Sequence, residues 1–208
     1  MSLENHNKSA KRTSIKFQSN VVAGEIISSI KQEAKKIKAN LIVMGTLGQN
    51  HNVLEKTIGT ISSTITRNAP CPIILVPNKY KYKKIENAIF STNLKTGDPY
   101  QLHRAMEVIK PQRPVVRCVY VNKQEKEGTE EISDFAKYMV DHSPNTRTIF
   151  MILLGNNIIE RIVEQAETYN AEMIIMHKTK KSFWKRIKEK NHIKAMINLL
   201  NKPLLIMN

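Results

Sequence analysis

Apolar positions along this chain alternate between two rhythms, and the same pair of rhythms occurs twice. From Glu25 to Lys38 the apolar residues Ile26, Ile27, Ile30 and Ala34 recur at helical spacing, which predicts an amphipathic helix. An unbroken apolar run, Leu41 to Met44, follows. Such a run, without polar alternation, suits a parallel strand buried on both faces. The pattern returns as a helix over Ile158 to Tyr169 and an apolar run over Met173 to Met176. Strand-like stretches, Ile15 to Val22 and Thr148 to Leu154, lead into the two helices. A loop and a second helix come after each apolar run (Leu54 to Arg67; Ile187 to Leu200). Each copy then closes with a proline and an apolar strand, Ile73 to Val76 or Leu204 to Met207.

A shift of 132 positions lays Ile26–Met44 on Ile158–Met176 without gaps. Ile26, Ile27, Ile30, Ala34, Ala39, Ile42 and Met44 then fall on identical residues, which identifies a duplicated helix–strand unit. The second copy has more in front of it: strands over Ala88–Ser91 and Val115–Val121, and helices over Tyr100–Ile109 and Glu130–Val140. Alternating strands and helices of this length imply βαβ crossovers and a parallel sheet. The expected organisation is a partial unit over residues 1–78, a basic linker over 79–84, and a complete five-strand unit over 85–208. Only thirteen residues precede Ser14, too few for two strands and two helices, so unit one reads as a half-unit.

Charge adds one feature to this picture. The chain carries 33 Lys and Arg against 18 Asp and Glu, a formal +15, which draws polyanions. The cations cluster in Lys79–Lys84, where they alternate with Tyr80 and Tyr82, and in Lys178–Lys190. A solvated lysine-rich surface accounts for both clusters, and a nucleic-acid footprint is the alternative. No apolar run reaches the ~18–20 residues that span a bilayer, and Met1–Phe17 lacks the apolar core of a signal peptide. The expectation is a cytoplasmic protein without membrane contact. Cys71 and Cys118 have no metal or disulfide spacing and read as buried reduced thiols.

Candidate chemistry centres on Gly45-Thr46-Leu47-Gly48 after the strand Leu41–Met44, then Gly59-Thr60 opening onto Ile61, Ser62 and Ser63. Glycines at a strand end let the backbone approach a ligand, and a Gly-Thr in a first helical turn can aim N–H groups and a hydroxyl at an anion. A strand-terminating turn is the plain alternative. The stretches Leu41–Gly48, Ile58–Ser63 and Asn68-Ala-Pro-Cys-Pro-Ile-Ile-Leu-Val-Pro77 resemble the universal stress protein family. That family has a Rossmann-like parallel five-strand α/β fold, tandem members, and an ATP-binding subset marked by Gly-x2-Gly-x9-Gly-Ser/Thr. The resemblance implies two tandem units of this fold, the first missing its first two strands. It further implies an ATP site lined by Met44, Gly45 and Gly48, with Gly59, Thr60 and Ile61 on the phosphates. It also implies self-association through the last strands, so that the two units mimic a dimer or two chains pair like units. The family's strand order, 3-2-1-4-5, leaves the Ile15–Val22 strand without its neighbours. That strand would then shift against Leu41–Met44, be completed by another chain, or pair with residues upstream of Met1.

The chain departs from the family pattern in three places. Ten residues, not nine, separate Gly48 from Gly59. The first two strands, which supply adenine and ribose contacts including an Asp, are missing from unit one. Unit two has His177, Lys180, Asn191 and His192 where unit one has Gly45, Gly48, Gly59 and Thr60, and it has Asn93 where the family's first-strand Asp would fall. Unit two therefore reads as a fold without the nucleotide.

No catalytic or metal site is expected. His177 and His192 lack nearby acids in sequence, and His103 and His142 read as solvent-facing. Glu164 and Glu167 read as surface electrostatics, and Ser62 and Ser63 have no base placed to activate them. Trp184 reads as a loop anchor, with base stacking as the alternative. The residues point to a non-enzymatic stress-response protein with an adenine-nucleotide or phosphate site in unit one. The alternative is a basic nucleic-acid-binding or purely structural module.

Overall fold

The computed structural model describes residues 16–45, 65, 69–122, 129–143, 146–177 and 201–208. Their elements, in chain order, are α1 (Ile26–Lys36), β1 (Ile42–Gly45), β2 (Ile73–Val76), β3 (Asn87–Thr92), α2 (Asp98–Ile109) and a 3-10 turn (Lys110–Gln112). Then come β4 (Val115–Asn122), α3 (Thr129–His142), β5 (Arg147–Leu154), α4 (Ile158–Thr168), β6 (Met173–His177) and β7 (Leu204–Met207). Every expected strand and helix of the second unit up to β6 is present, as are both closing strands. The helices expected over Leu54–Arg67 and Ile187–Leu200 lie outside the described residues, apart from Ile65, a buried helical residue.

The strands form one seven-stranded sheet in the order β1-β2-β7-β6-β3-β4-β5. Strands β3 to β7 are mutually parallel and reproduce the order 3-2-1-4-5. β1 and β2 are parallel to each other, and β2 meets β7 antiparallel, with Ile73 opposite Ile206, Ile74 opposite Leu205 and Leu75 opposite Leu204. The two closing strands are thus neighbours within one chain. A short, fully apolar strand is a poor sheet edge, and each covers the other. The carboxyl ends of β1 and β2 consequently point the same way as the amino ends of β3, β4 and β5.

Period-2 alternation along the strands splits the core into two layers. One layer holds Ile73, Leu75, Ile89, Val119, Ile174, Leu204 and Ile206 against α4, with Ile27 and Ile30 of α1 packed onto it. The other holds Ala88, Phe90, Val116, Cys118, Ile175, Leu205 and Met207 against α2 and α3. Phe135 of α3 sits edge-on to both Phe90 and Phe150. The helix starts are locally specified. The Glu25 carboxylate accepts the backbone N–H groups of Ile27 and Ser28, opening α1, and Asn157 Oδ1 accepts from Glu160 N, opening α4.

One expected element does not form. Residues 16–22, the described part of the expected strand Ile15–Val22, make no strand, and Phe17, Val21 and Val22 are exposed. In unit two the corresponding strand, β5, is held by β4. No described strand of unit one plays that part, and the segment does not shift sideways onto β1. An extended segment without a ladder partner gains neither backbone pairing nor burial.

Candidate functional site

The two strand pairs that end each unit are the same structure. Ile42, Val43, Met44 and Gly45 of β1 face Ile73 to Val76 of β2 in parallel, and Ile174 to His177 of β6 face Leu204 to Met207 of β7 in the same way. Gly45 and His177 therefore occupy one position: the last residue of a parallel strand, at the strand's carboxyl end. In open α/β sheets ligands bind at these ends, beside the point where the chain order reverses. Of the expected phosphate-site residues, Met44 and Gly45 are placed here, Met44 half-buried and Gly45 exposed. Gly48, Gly59, Thr60 and Ile61 lie outside the described residues.

The surroundings of the two ends differ. Val43 is 61% exposed, whereas its repeat partner Ile175 is fully buried beneath α2 and α3. Among the described residues, no helix covers that face of β1. No described strand lies beside β1 on the side away from β2, the side on which β6 has β3. In unit two that neighbouring strand ends at Thr92, with Asn93 next in the chain. The adenine half of a nucleotide site thus has no counterpart among the described residues of unit one.

At the equivalent end of unit two the structure holds a closed polar cluster that sequence spacing did not reveal. Asp98, 1% exposed at the start of α2, accepts on Oδ2 from Thr92 Oγ1 (2.7 Å) and from the backbone N–H groups of Asn93 (2.9 Å) and Lys95 (3.3 Å). Its Oδ1 lies 2.9 Å from His177 Nδ1. Burial works to raise the Asp98 carboxyl, but the hydrogen bonds from His177, Thr92 and Asn93 outweigh it and hold the group below its ordinary value. The expectation that His177 lacks an acid is corrected: Asp98, distant in sequence, is brought to it by the β3–β6 pairing. The available signal was Gly97-Asp98-Pro99, a helix start with proline in the first turn. His177 and Asp98 fill with their own side chains the place where unit one has a bare glycine.

The remaining candidates resolve plainly. His103 is not solvent-facing: its Nδ1 lies 2.6 Å from the hydroxyl of buried Ser143. His142 is exposed, stacked on Tyr138 at 4.0 Å. Glu164 pairs with Arg161 on the surface of α4. Cys71 and Cys118 are buried free thiols, both raised by burial and so kept from the reactive thiolate form. Among the described residues, no three His, Cys, Asp or Glu side chains gather as a metal site, and no helix is long and apolar enough to cross a membrane. The lysines of 178–190, Trp184 and His192 lie outside the described residues.

Comparison with known proteins agrees with this architecture. The sequence profile described as "Universal stress protein family" matches residues 2–77, the segment ahead of the linker. A universal stress protein of Methanocaldococcus jannaschii is 33% identical over 75 residues, which cover 36% of this chain and 43% of that protein. The chain therefore spans less than half the length of this relative. Two crystal structures match almost end to end, each covering 99% of this chain. One is a universal stress protein from Archaeoglobus fulgidus (TM-score 0.64, 13% identity, 78% of that chain). The other, from Pseudomonas aeruginosa, is described as a putative universal stress protein (TM-score 0.67, 11% identity, 76% of that chain). Residues 2–77 thus match the family's sequence pattern, and the chain shares the fold of solved universal stress proteins through to Asn208.

Proposed function

We propose that this chain is a non-enzymatic stress-response protein of the cytoplasm that binds the phosphates of an adenine nucleotide, ATP in the first instance, at the glycine loop following β1. The observation that carries the reading is the matched register of the two strand pairs. Gly45 ends β1 at its carboxyl end, and the Asp98-bound His177 ends β6 at the same position. A glycine there has no side chain to keep an anion from the backbone, and the sequence continues with the further glycines Gly48 and Gly59 and the hydroxyl of Thr60. The same position in unit two is taken up by a hydrogen-bonded side-chain pair, so unit two acts as a scaffold. No bond-making chemistry is assigned to either unit. Tandem organisation follows from the repeat, with β2 and β7 joining two units inside one chain in the way two chains would pair.

The test is titration of ATP into the wild type and the double variant Gly45→Val, Gly59→Val, followed by calorimetry. Binding by the wild type, weakened at least tenfold (~1.4 kcal/mol) in the variant, is the expected result. Equal binding by both would show that the loop is only a turn.

A further inference from the structure

The end of the sheet to which β1 and β2 point is the end from which β3, β4 and β5 start, and it carries exposed cations. The linker leaves β2 after Val76 and enters β3 at Asn87. Because β2 is antiparallel to β7, and so to β3, the linker stays at one end and passes the ends of β7 and β6. That path spans three strand spacings, about 14 Å. Residues 81–84 are exposed throughout it, and Tyr82 is 77% exposed. The linker is tied to the next segment by Gln112, whose Oε1 accepts from Tyr82 Oη (3.3 Å) and from the backbone N–H of Ile85 (2.6 Å). Gln112 stands directly before Arg113, at the approach to β4, and Arg147 is the first residue of β5.

Among the described residues, the cations along this end include Lys81, Lys83, Lys84, Lys110, Arg113 and Arg147. Lys84 is paired with Glu86 and Lys110 with Glu107. The other four have no acidic partner among the described residues. Arg113 and Arg147 stand on the rim of an open cavity of about 850 Å³, whose walls include Met106, Pro111, Pro114 and His142. Exposed cations without acidic partners, an exposed tyrosine among them and a partly apolar cavity lined by Arg113 and Arg147 together suit a flexible chain of phosphates carrying flat bases.

We propose that this end of the sheet binds single-stranded nucleic acid. The phosphates lie along Lys81, Lys83, Arg113 and Arg147, one base stacks on Tyr82, and another enters the cavity above Met106. Positioning by the backbone phosphates makes the binding tolerant of sequence and sensitive to salt.

The experiment is fluorescence anisotropy of a labelled dodecathymidylate with the full chain between about 50 and 200 mM salt, a range in which such contacts weaken markedly. Three variants decide it: Lys81→Glu, Lys83→Glu, Arg113→Glu, Arg147→Glu together; Lys35→Glu, Lys36→Glu, Lys16→Glu, Lys38→Glu together, which carries the same charge change elsewhere; and Tyr82→Ala. All alter exposed or rim side chains, and far-ultraviolet circular dichroism verifies that each folds. The first variant is expected to bind at least tenfold more weakly and to flatten the log–log salt slope by about 0.7 per lost phosphate contact. The charge-matched control should stay within about threefold of wild type, and Tyr82→Ala should weaken binding severalfold with the slope unchanged. Equal loss in the first two variants would overturn the proposal, since net charge alone would then explain binding. So would unaltered binding by the first variant, or a Tyr82→Ala protein indistinguishable from wild type, which would indicate a general polyanion surface. Gly45→Val, Gly59→Val should bind the oligonucleotide normally, so failure here and failure of the ATP site are separately visible.

Discussion

Asp98 shows how one buried carboxylate organises a strand end. Three donors converge on its Oδ2 and one on its Oδ1, and hydrogen bonds to a charged group are each worth ~1.5–3 kcal/mol. Asp98→Ala would leave Thr92 and His177 without this acceptor in a buried setting. A loss of about 2–4 kcal/mol is expected by urea denaturation. The sign of the pH effect follows from the depressed carboxyl. Its stabilisation is complete above the unfolded-state value, near 3.8, and drains away as pH falls through the lower folded-state value. Wild-type stability should therefore carry a component lost only below about pH 4, and Asp98→Asn should lack it. Identical pH profiles below pH 4 would show that the carboxylate is not held in this way. A second residue-scale test uses the repeat itself. Val43 and Ile175 are equivalent positions, one 61% exposed and one fully buried. Val43→Ala should change stability by no more than about 0.5 kcal/mol, whereas Ile175→Ala should cost about 2–5 kcal/mol. Similar losses at both sites would mean that something covers Val43 in solution.

The elements differ in how much of them the sequence could announce. Helix–strand units with strong periodicity, such as α4 followed by β6, are visible because each apolar position also points into a core layer. The strand expected at Ile15–Val22 had a sequence suited to pairing but no partner. Pairing is a property of two segments, so one segment's pattern cannot decide it. Asp98 and His177 were hidden for the related reason that 79 residues separate them and only the β3–β6 register brings them together. The glycine at the end of β1 was legible because a strand-terminating glycine is a local signal; the acceptor cluster replacing it in unit two was not. β1 itself supplies the element-scale prediction. Its backbone is paired to β2 alone among the described strands, while β6, its repeat counterpart, is laddered on both sides by β7 and β3. Amide hydrogen exchange should be fast at Val43, whose amide faces away from β2, and slow at its β6 counterpart Ile175. Equal protection in the isolated chain would mean that a further strand, from this chain or another, closes the β1 edge.

For the whole molecule, the decisive contact is the antiparallel join of β2 and β7. It does more than place two units side by side. Ile65, Ile73 and Leu75 of the first unit share one core layer with Ile89, Ile162 and Ile206 of the second, and Leu41 and Ile74 pack onto the opposite layer. Asn208 ties the units at a second level. Its Nδ2 donates to the carbonyls of Ala69 (3.2 Å) and Cys71 (2.7 Å), and its own carbonyl accepts from Gln101 Nε2 and Arg104 Nη1. The described apolar residues of β2 are thus buried in core layers shared with unit two, so unit one's described core does not outlast the β2–β7 join. The chain is therefore expected to unfold in one calorimetric transition, with calorimetric and van't Hoff enthalpies equal, rather than in the two that separable domains would give. Leu75→Ala, at a fully buried site in the shared layer, should lower the midpoint of that single transition without splitting it, at a cost of about 2–5 kcal/mol. Asn208→Ala should shift it in the same direction by the ~1–2 kcal/mol of two lost hydrogen bonds to carbonyls. Two resolved heat-absorption peaks in the wild type, only one of them moved by Leu75→Ala, would show that the units fold independently and that the β2–β7 join is a docking contact between finished domains.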